Sequence, residues 1–175
     1  MNVKIIALIL TGVIALAACT SQLEKDTKRI DALEKQIDAS GGSPDQAKLD
    51  ELLSEYDNYV NKYPDDTLAP DYLYKSITLS MFMNDGDKAL AYTDRMINNY
   101  PQNRYMPEVI FLKGFIYENL LNNYGQALKY YQEFIKMFPG HDLADDAEAA
   151  ITHLGKSPEE IVREFEQKEA EAAGR

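Results

Sequence analysis

Few residues in this chain have a type and spacing that could do chemistry. The only cysteine, Cys19, closes the run Leu16-Ala17-Ala18-Cys19. A thiol placed there can carry a lipid once a peptidase has cut between Ala18 and Cys19, and the two small residues before it suit such a cut. The two histidines, His141 and His153, stand twelve residues apart, which is not the spacing of a metal-binding pair. With Cys19 taken by lipid, no thiol is left for nucleophilic work or for a disulfide. The acidic run Asp142, Asp145, Asp146 and Glu148 offers oxygen atoms, but calcium loops space their ligands around a turning glycine, and only Gly140 flanks it. That run reads as a solvated helix start. Glycine-rich phosphate loops and a serine in a nucleophile-elbow setting are missing from the sequence. The reading is therefore not an enzyme, with no catalytic residue, cofactor, metal or small-molecule substrate expected.

The segment before Cys19 has the build of an export leader. Met1 to Lys4 supply a short positive start and Ile5 to Ala17 a mostly apolar stretch. As a helix that stretch rises about 20 Å, too little for a hydrocarbon core of roughly 30 Å. Residues 1–18 are read as a removed signal peptide, against the alternative of ordinary cleavage that leaves a free thiol. The whole chain has a formal net charge of −11, and loss of Lys4 makes the mature chain more acidic still. Such a chain is a poor nucleic-acid ligand, because binding phosphate requires clustered Lys and Arg to displace counterions. Its membrane contact is expected through the anchor alone.

Stepping outward from Cys19, residues 19–46 read as a polar tether and linker. Leu23, Ile30 and Ile37 recur by sevens with Leu33 between them, a stripe too short for a coiled coil and interrupted by Asp26 and Thr27. The expectation is a solvated spacer helix, with self-association through that stripe as the alternative. Ser40-Gly41-Gly42-Ser43-Pro44 ends it.

Residues 47–171 carry a repeat. Three amphipathic segments end in an aromatic residue followed by proline: Tyr63-Pro64, Tyr100-Pro101 and Phe138-Pro139, spaced by 37 and 38 residues. A fixed period in this range marks stacked helical hairpins, each unable to bury its apolar face alone. Two copies align without a gap, pairing Ala89 with Ala127, Met96 with Phe134 and Tyr100 with Phe138. In the later copy Ala127, Tyr131, Phe134 and Phe138 fall on one helical face. Helix starts are predicted near Ala69-Pro70, Met106-Pro107 and Ala144-Asp145, and turns at Asn84-Asp85-Gly86 and Asn122-Asn123. Ser157-Pro158-Glu159-Glu160 predicts a capping box for a final helix, and residues 172–175 are expected to fray.

The period together with Gly114, Tyr117, Ala127, Tyr131 and Pro139 resembles the tetratricopeptide repeat, and Leu16-Ala17-Ala18-Cys19 resembles the lipobox of bacterial lipoproteins. The pairing of the two is similar to outer-membrane tetratricopeptide lipoproteins of the BamD type. Lys113 departs from the usual leucine before the repeat glycine, the first copy has Ser76 or Ile77 in place of that glycine, and Thr93 stands where an aromatic is usual. The resemblance implies an all-α fold of tetratricopeptide-like hairpins wound as a right-handed superhelical solenoid behind a lipoprotein signal peptide. It also implies a groove along the first helix of each hairpin, at Leu73, Ile77 and Met81 in one copy and Phe111, Phe115 and Asn119 in the next. Packing one hairpin onto another is the competing use for each of these six. The expected function is a membrane-anchored envelope lipoprotein, most simply of the outer membrane, acylated at Cys19, whose groove holds a peptide segment of an envelope protein. The alternative is a structural lipoprotein that self-associates through the Leu23–Ile37 stripe or a repeat end.

Overall fold

Three helices stop at the same kind of joint. Tyr63, Tyr100 and Phe138 end them with nearly identical backbone angles, φ/ψ of −130°/56°, −131°/51° and −132°/54°. These lie outside the α region, which the proline that follows disfavours. The chain then closes two short turns in each copy. The amide of Asp66 donates to the Tyr63 carbonyl, Asn103 to Tyr100 and His141 to Phe138, at 3.1, 3.0 and 3.0 Å; Ala69, Met106 and Ala144 then donate back to Asp66, Asn103 and His141. Each second turn delivers the chain to the first residue of the next helix, where the sequence places it.

The computed structural model describes residues 22–41 and 44–173. The expected leader and Cys19 lie outside the described residues. Those described form an all-α helical-repeat fold: α1 (residues 22–38), α2 (Gln46–Lys62), α3 (Ala69–Phe82), α4 (Gly86–Asn99), α5 (Met106–Asn119), α6 (Tyr124–Met137), α7 (Ala144–His153) and α8 (Pro158–Ala173). Among them no helix is long and apolar enough to cross a membrane. Asp or Asn side chains cap the starts of α2, α4 and α6: Asp45 accepts from the Ala47 amide, Asp85 from Lys88 and Asn123 from Gln126. Asn84 and Asn122 take the left-handed backbone at φ 58° and 52°, which lets the hairpins reverse tightly. The predicted capping box is present, with Ser157 Oγ accepting from the Glu160 amide and Glu160 Oε2 accepting from the Ser157 amide. Helix α8 runs two residues into the stretch expected to fray.

The chain divides into two compact units, the first ending at Leu79 and the second beginning at Ser80. In the first unit α1 is not the solvated spacer that the sequence led us to expect. Ile30 is fully buried and Leu33 nearly so. Asp26 accepts from Lys62 Nζ at 2.7 Å and from the Tyr63 hydroxyl at 2.9 Å, and Glu34 accepts from the Tyr56 hydroxyl at 2.6 Å and from Lys75 Nζ at 2.7 Å. Asp26, which interrupts the apolar stripe, is thus the residue that docks the helix. Because Asp26 near the start of α1 meets Lys62 at the end of α2, the two run antiparallel. Of the Leu23–Ile37 stripe, Ile30 and Leu33 are consumed inside this unit, while Leu23 and Ile37 at its two ends stay half-buried. A tyrosine cluster completes the core: Tyr56 stacks on Tyr72 with centroids 5.4 Å apart, and Tyr59 meets the edge of Tyr72 at 4.7 Å. Each such aromatic pair contributes on the order of 1 kcal/mol beyond area burial.

The second unit is a stack in which α4 packs on α5, α5 on α6 and α6 on α7. Its core joins Met106, Ile110, Ala127, Tyr131, Phe134, Ala144 and Ala147, with Phe111, Tyr117, Ile135 and Phe138 packed against them. Gly114 lets α6 come close to α5: a Cβ built there would lie 2.8 Å from Tyr131 Cδ1. The Tyr131 ring is held from its far end, where its hydroxyl donates to Glu118 Oε2 at 2.7 Å. Ala89 is fully buried, as its repeat position requires, whereas Pro64, Pro101 and Pro139 are exposed. The departures from the repeat pattern are satisfied locally. Ser76 Oγ donates to the Tyr72 carbonyl and Thr93 Oγ1 to that of Ala89, each four residues back on its own helix.

Candidate protein-binding surface

Helix α5 is apolar on nearly every side, so its faces must be divided between packing and solvent. Met106, Val109, Ile110, Gly114 and Ile116 are buried. Phe111 turns onto α6, with its ring 5.5 Å from Tyr131 and 5.6 Å from Phe134. It is half-buried against the core, so packing takes part of a side chain expected to line the groove. Phe115, one turn on, is 36 % exposed, and Asn119 follows it on the same stripe. The Asn119 amide donates to the Phe115 carbonyl at 3.1 Å, closing the end of the helix.

The earlier copy behaves differently. Leu73 and Ile77 are both fully buried in the first unit and present no surface to a ligand, so both are withdrawn as groove residues. Met81 belongs to the second unit and is half-buried. Of the six expected contacts, the structure therefore leaves Phe115 and Asn119 together on an open face of α5, and Phe111 and Met81 half-buried. Packing took Leu73 and Ile77 whole and Phe111 in part, because large aliphatic and aromatic groups gain more from burial than a short helix face in water can return.

Lys113 is the residue whose surroundings the sequence did not reveal. It is buried on α5, paired with the carboxylate of Asp94 on α4, and its Nζ sits 4.4 Å from the centroid of the Tyr130 ring. Tyr130 in turn stacks on Tyr117, with centroids 5.6 Å apart and planes 8° from parallel. Burial pulls the Lys113 ammonium toward the neutral form. Its hydrogen bonds to Asp94 and Tyr130 and the Asp94 charge outweigh that, and its pKa ends above the ordinary lysine value. A lysine held charged in this way is a strut rather than a nucleophile.

His141 also takes a structural place. Its Nδ1 accepts from the Leu143 amide at 3.2 Å, just as Asp66 Oδ1 accepts from Leu68 at 2.9 Å and Asn103 Oδ1 from Tyr105 at 3.0 Å. The imidazole does at the third joint what Asx side chains do at the first two. Its ring stands edge-on to Phe134, with centroids 5.6 Å apart, and its Nε2 lies 3.8 Å from Glu108 Oε1. His153 ends α7.

The helices that bear Glu108, Phe115 and Tyr131, with the joint that holds His141, thus make one closed hairpin, from the first turn of α5 to the joint after α6. Residues 108–141 match the tetratricopeptide repeat. This is a repeat-containing protein, and the match covers the hairpin on which the open Phe115 face lies. No curated protein matches the chain. The likeness to BamD-type lipoproteins accordingly gains nothing from these comparisons. Tetratricopeptide repeats characteristically form surfaces for other proteins, and residues 108–141 are a hairpin of that kind.

Proposed function

We propose that this chain is an envelope lipoprotein, tethered to the outer membrane through acylated Cys19, whose repeat hairpin holds a peptide segment of an envelope protein. The observation that carries the reading is the exposed Phe115 on α5. The reverse of the same helix is fully spent on Tyr131 and the core, so an aromatic ring left on the open face is free for a partner. The acidic balance of the chain favours basic segments and speeds their encounter. Acylation supplies the anchor, with each buried methylene contributing about 0.8 kcal/mol. The reading assigns binding and no catalysis.

A photo-crosslinking residue at Phe115 in intact cells should give one discrete protein adduct, absent when the same group replaces Gln132 on the outer face of α6. The adduct formed by a photo-crosslinking residue at Met81 should disappear in the Phe115→Ala, Asn119→Ala double variant while helix content and melting are unchanged. Equal adducts at positions 115 and 132 would remove the surface from consideration. The anchor is tested separately by Cys19→Ala, which should shift the protein from the membrane fraction to the soluble one.

A further inference from the structure

Glu108 is the third residue of α5, the place from which a glutamate ordinarily reaches back to the amide before its helix. Here that amide, of Tyr105, is already bound by Asn103 Oδ1 at 3.0 Å. The carboxylate is left over. Its Oε2 is covered and accepts no hydrogen bond, and its Oε1 lies 3.8 Å from His141 Nε2, beyond hydrogen-bond reach. Other glutamates of the fold are occupied: Glu118, further along α5, by the Tyr131 hydroxyl, and Glu34 by Tyr56 and Lys75. The Glu108 side chain is nevertheless 35 % exposed. A carboxylate that has lost part of its water without gaining a donor has little more desolvation to suffer when a cation arrives.

Glu108 and Phe115 are seven residues apart, close to two full turns, so they share one face of α5 at a separation of about 10 Å. The cations of this stretch are engaged elsewhere. Lys113 is buried and paired with Asp94, and Arg104, in the joint before α5, lies on the ring of Tyr105 with its guanidinium carbon 4.7 Å from the centroid. On α7 the register of Glu108 is held by Asp146, which is exposed, and α7 contains no lysine or arginine. The face thus has an open carboxylate at one end and an open aromatic ring at the other.

We infer that the segment held on α5 presents a lysine or arginine to Glu108 and a large apolar side chain to Phe115. The inference rests on the reading of this face as peptide-binding and adds the chemistry of what is bound. A chain lying along α5 in the polyproline conformation brings the same side round every three residues, a rise of about 9 Å, which matches the separation on the helix. The basic and the apolar residue of the segment therefore stand three positions apart.

The probe is a phage-displayed library of random peptides, panned on the immobilised full-length protein in detergent. Lysine or arginine should be enriched about threefold at the third position from a large apolar residue, the scale of a partly exposed ion pair. On the Glu108→Gln protein that position should return to the frequency of the unselected library while the apolar preference stays. On Glu108→Lys it should select aspartate or glutamate. Melting followed by circular dichroism shows whether both variants keep the fold, and the wild-type selection decides the motif without them. Apolar enrichment with no basic preference, a basic preference at another spacing, or one that survives Glu108→Gln overturns this inference and leaves the peptide-binding reading in place. No enrichment of any kind on the wild-type protein overturns both.

Discussion

Gly114→Ala places two known effects in direct opposition. Alanine in a helix interior is favoured over glycine by about 1 kcal/mol. Against this, the new methyl would lie 2.8, 2.9 and 3.2 Å from three carbons of the Tyr131 ring. That ring cannot step aside, because it is 1 % exposed and its hydroxyl is tied to Glu118. Overpacking of a rigid core contact costs roughly 1–3 kcal/mol, so the steric effect should win by about 1 kcal/mol. For a chain of this size that corresponds to a fall in melting temperature of roughly 2–4 °C, read by circular dichroism at 222 nm. Gly125→Ala is the internal control, since the nearest foreign atom to a Cβ there is 3.9 Å away. It should leave stability unchanged or raise it slightly. In a double-mutant cycle, Tyr131→Leu should abolish the penalty of Gly114→Ala. A Gly114→Ala protein as stable as the Gly125→Ala protein would refute the argument that close approach of α5 and α6 requires this glycine.

At the third joint, His141→Asn should hold stability near wild type because Asn103 makes the same bond in the second. His141→Ala should lose about 1 kcal/mol by chemical denaturation, and equal effects of the two would discard the shared-joint account. Lys113→Leu should be neutral or stabilising, whereas Asp94→Ala, which strands a buried cation, should cost about 1–2 kcal/mol after allowing for the exposure of Asp94; the reverse order would contradict the strut reading. Ile30→Ala should cost about 2–4 kcal/mol and the half-exposed Ile37→Ala much less, while matching small losses would return α1 to a spacer. Burial first, and then the charges of Asp31, Glu34 and Asp66, push the Tyr72 phenol up to about 12. A folded value above the unfolded one of about 10 means that this contribution is intact below pH 10 and is lost as pH climbs from there toward 12, by on the order of 2–3 kcal/mol. Phenolate absorbance should therefore rise together with loss of helix signal, and full ionisation with the helices intact would refute it.

Much of the helical framework was legible because its signals are local. Proline after an aromatic, Asn at a left-handed turn, and Ser-x-x-Glu at a helix start each fix the backbone within a few residues, and all appear where the sequence put them. The role of α1 was not legible, since its partners Lys62, Tyr56 and Lys75 lie 36, 22 and 41 residues away. The binding face was only partly so. Ile77 and Phe115 share a register, yet one is fully covered and the other 36 % open, and periodicity alone cannot tell which copy will be covered. His141 was within reach: Asp66, Asn103 and His141 each fall three residues after the aromatic of their joint.

Each joint is closed by its own seven or so residues, from the aromatic that ends one helix to the residue that begins the next. The bend therefore belongs to the segment and not to its surroundings. A cassette running from one such bend to the next, residues 101–138 for instance, can be duplicated or excised with the exit direction of the chain preserved at both cuts. The reach of the scaffold is then adjustable in steps of one hairpin, by copying, without any corner having to be invented anew.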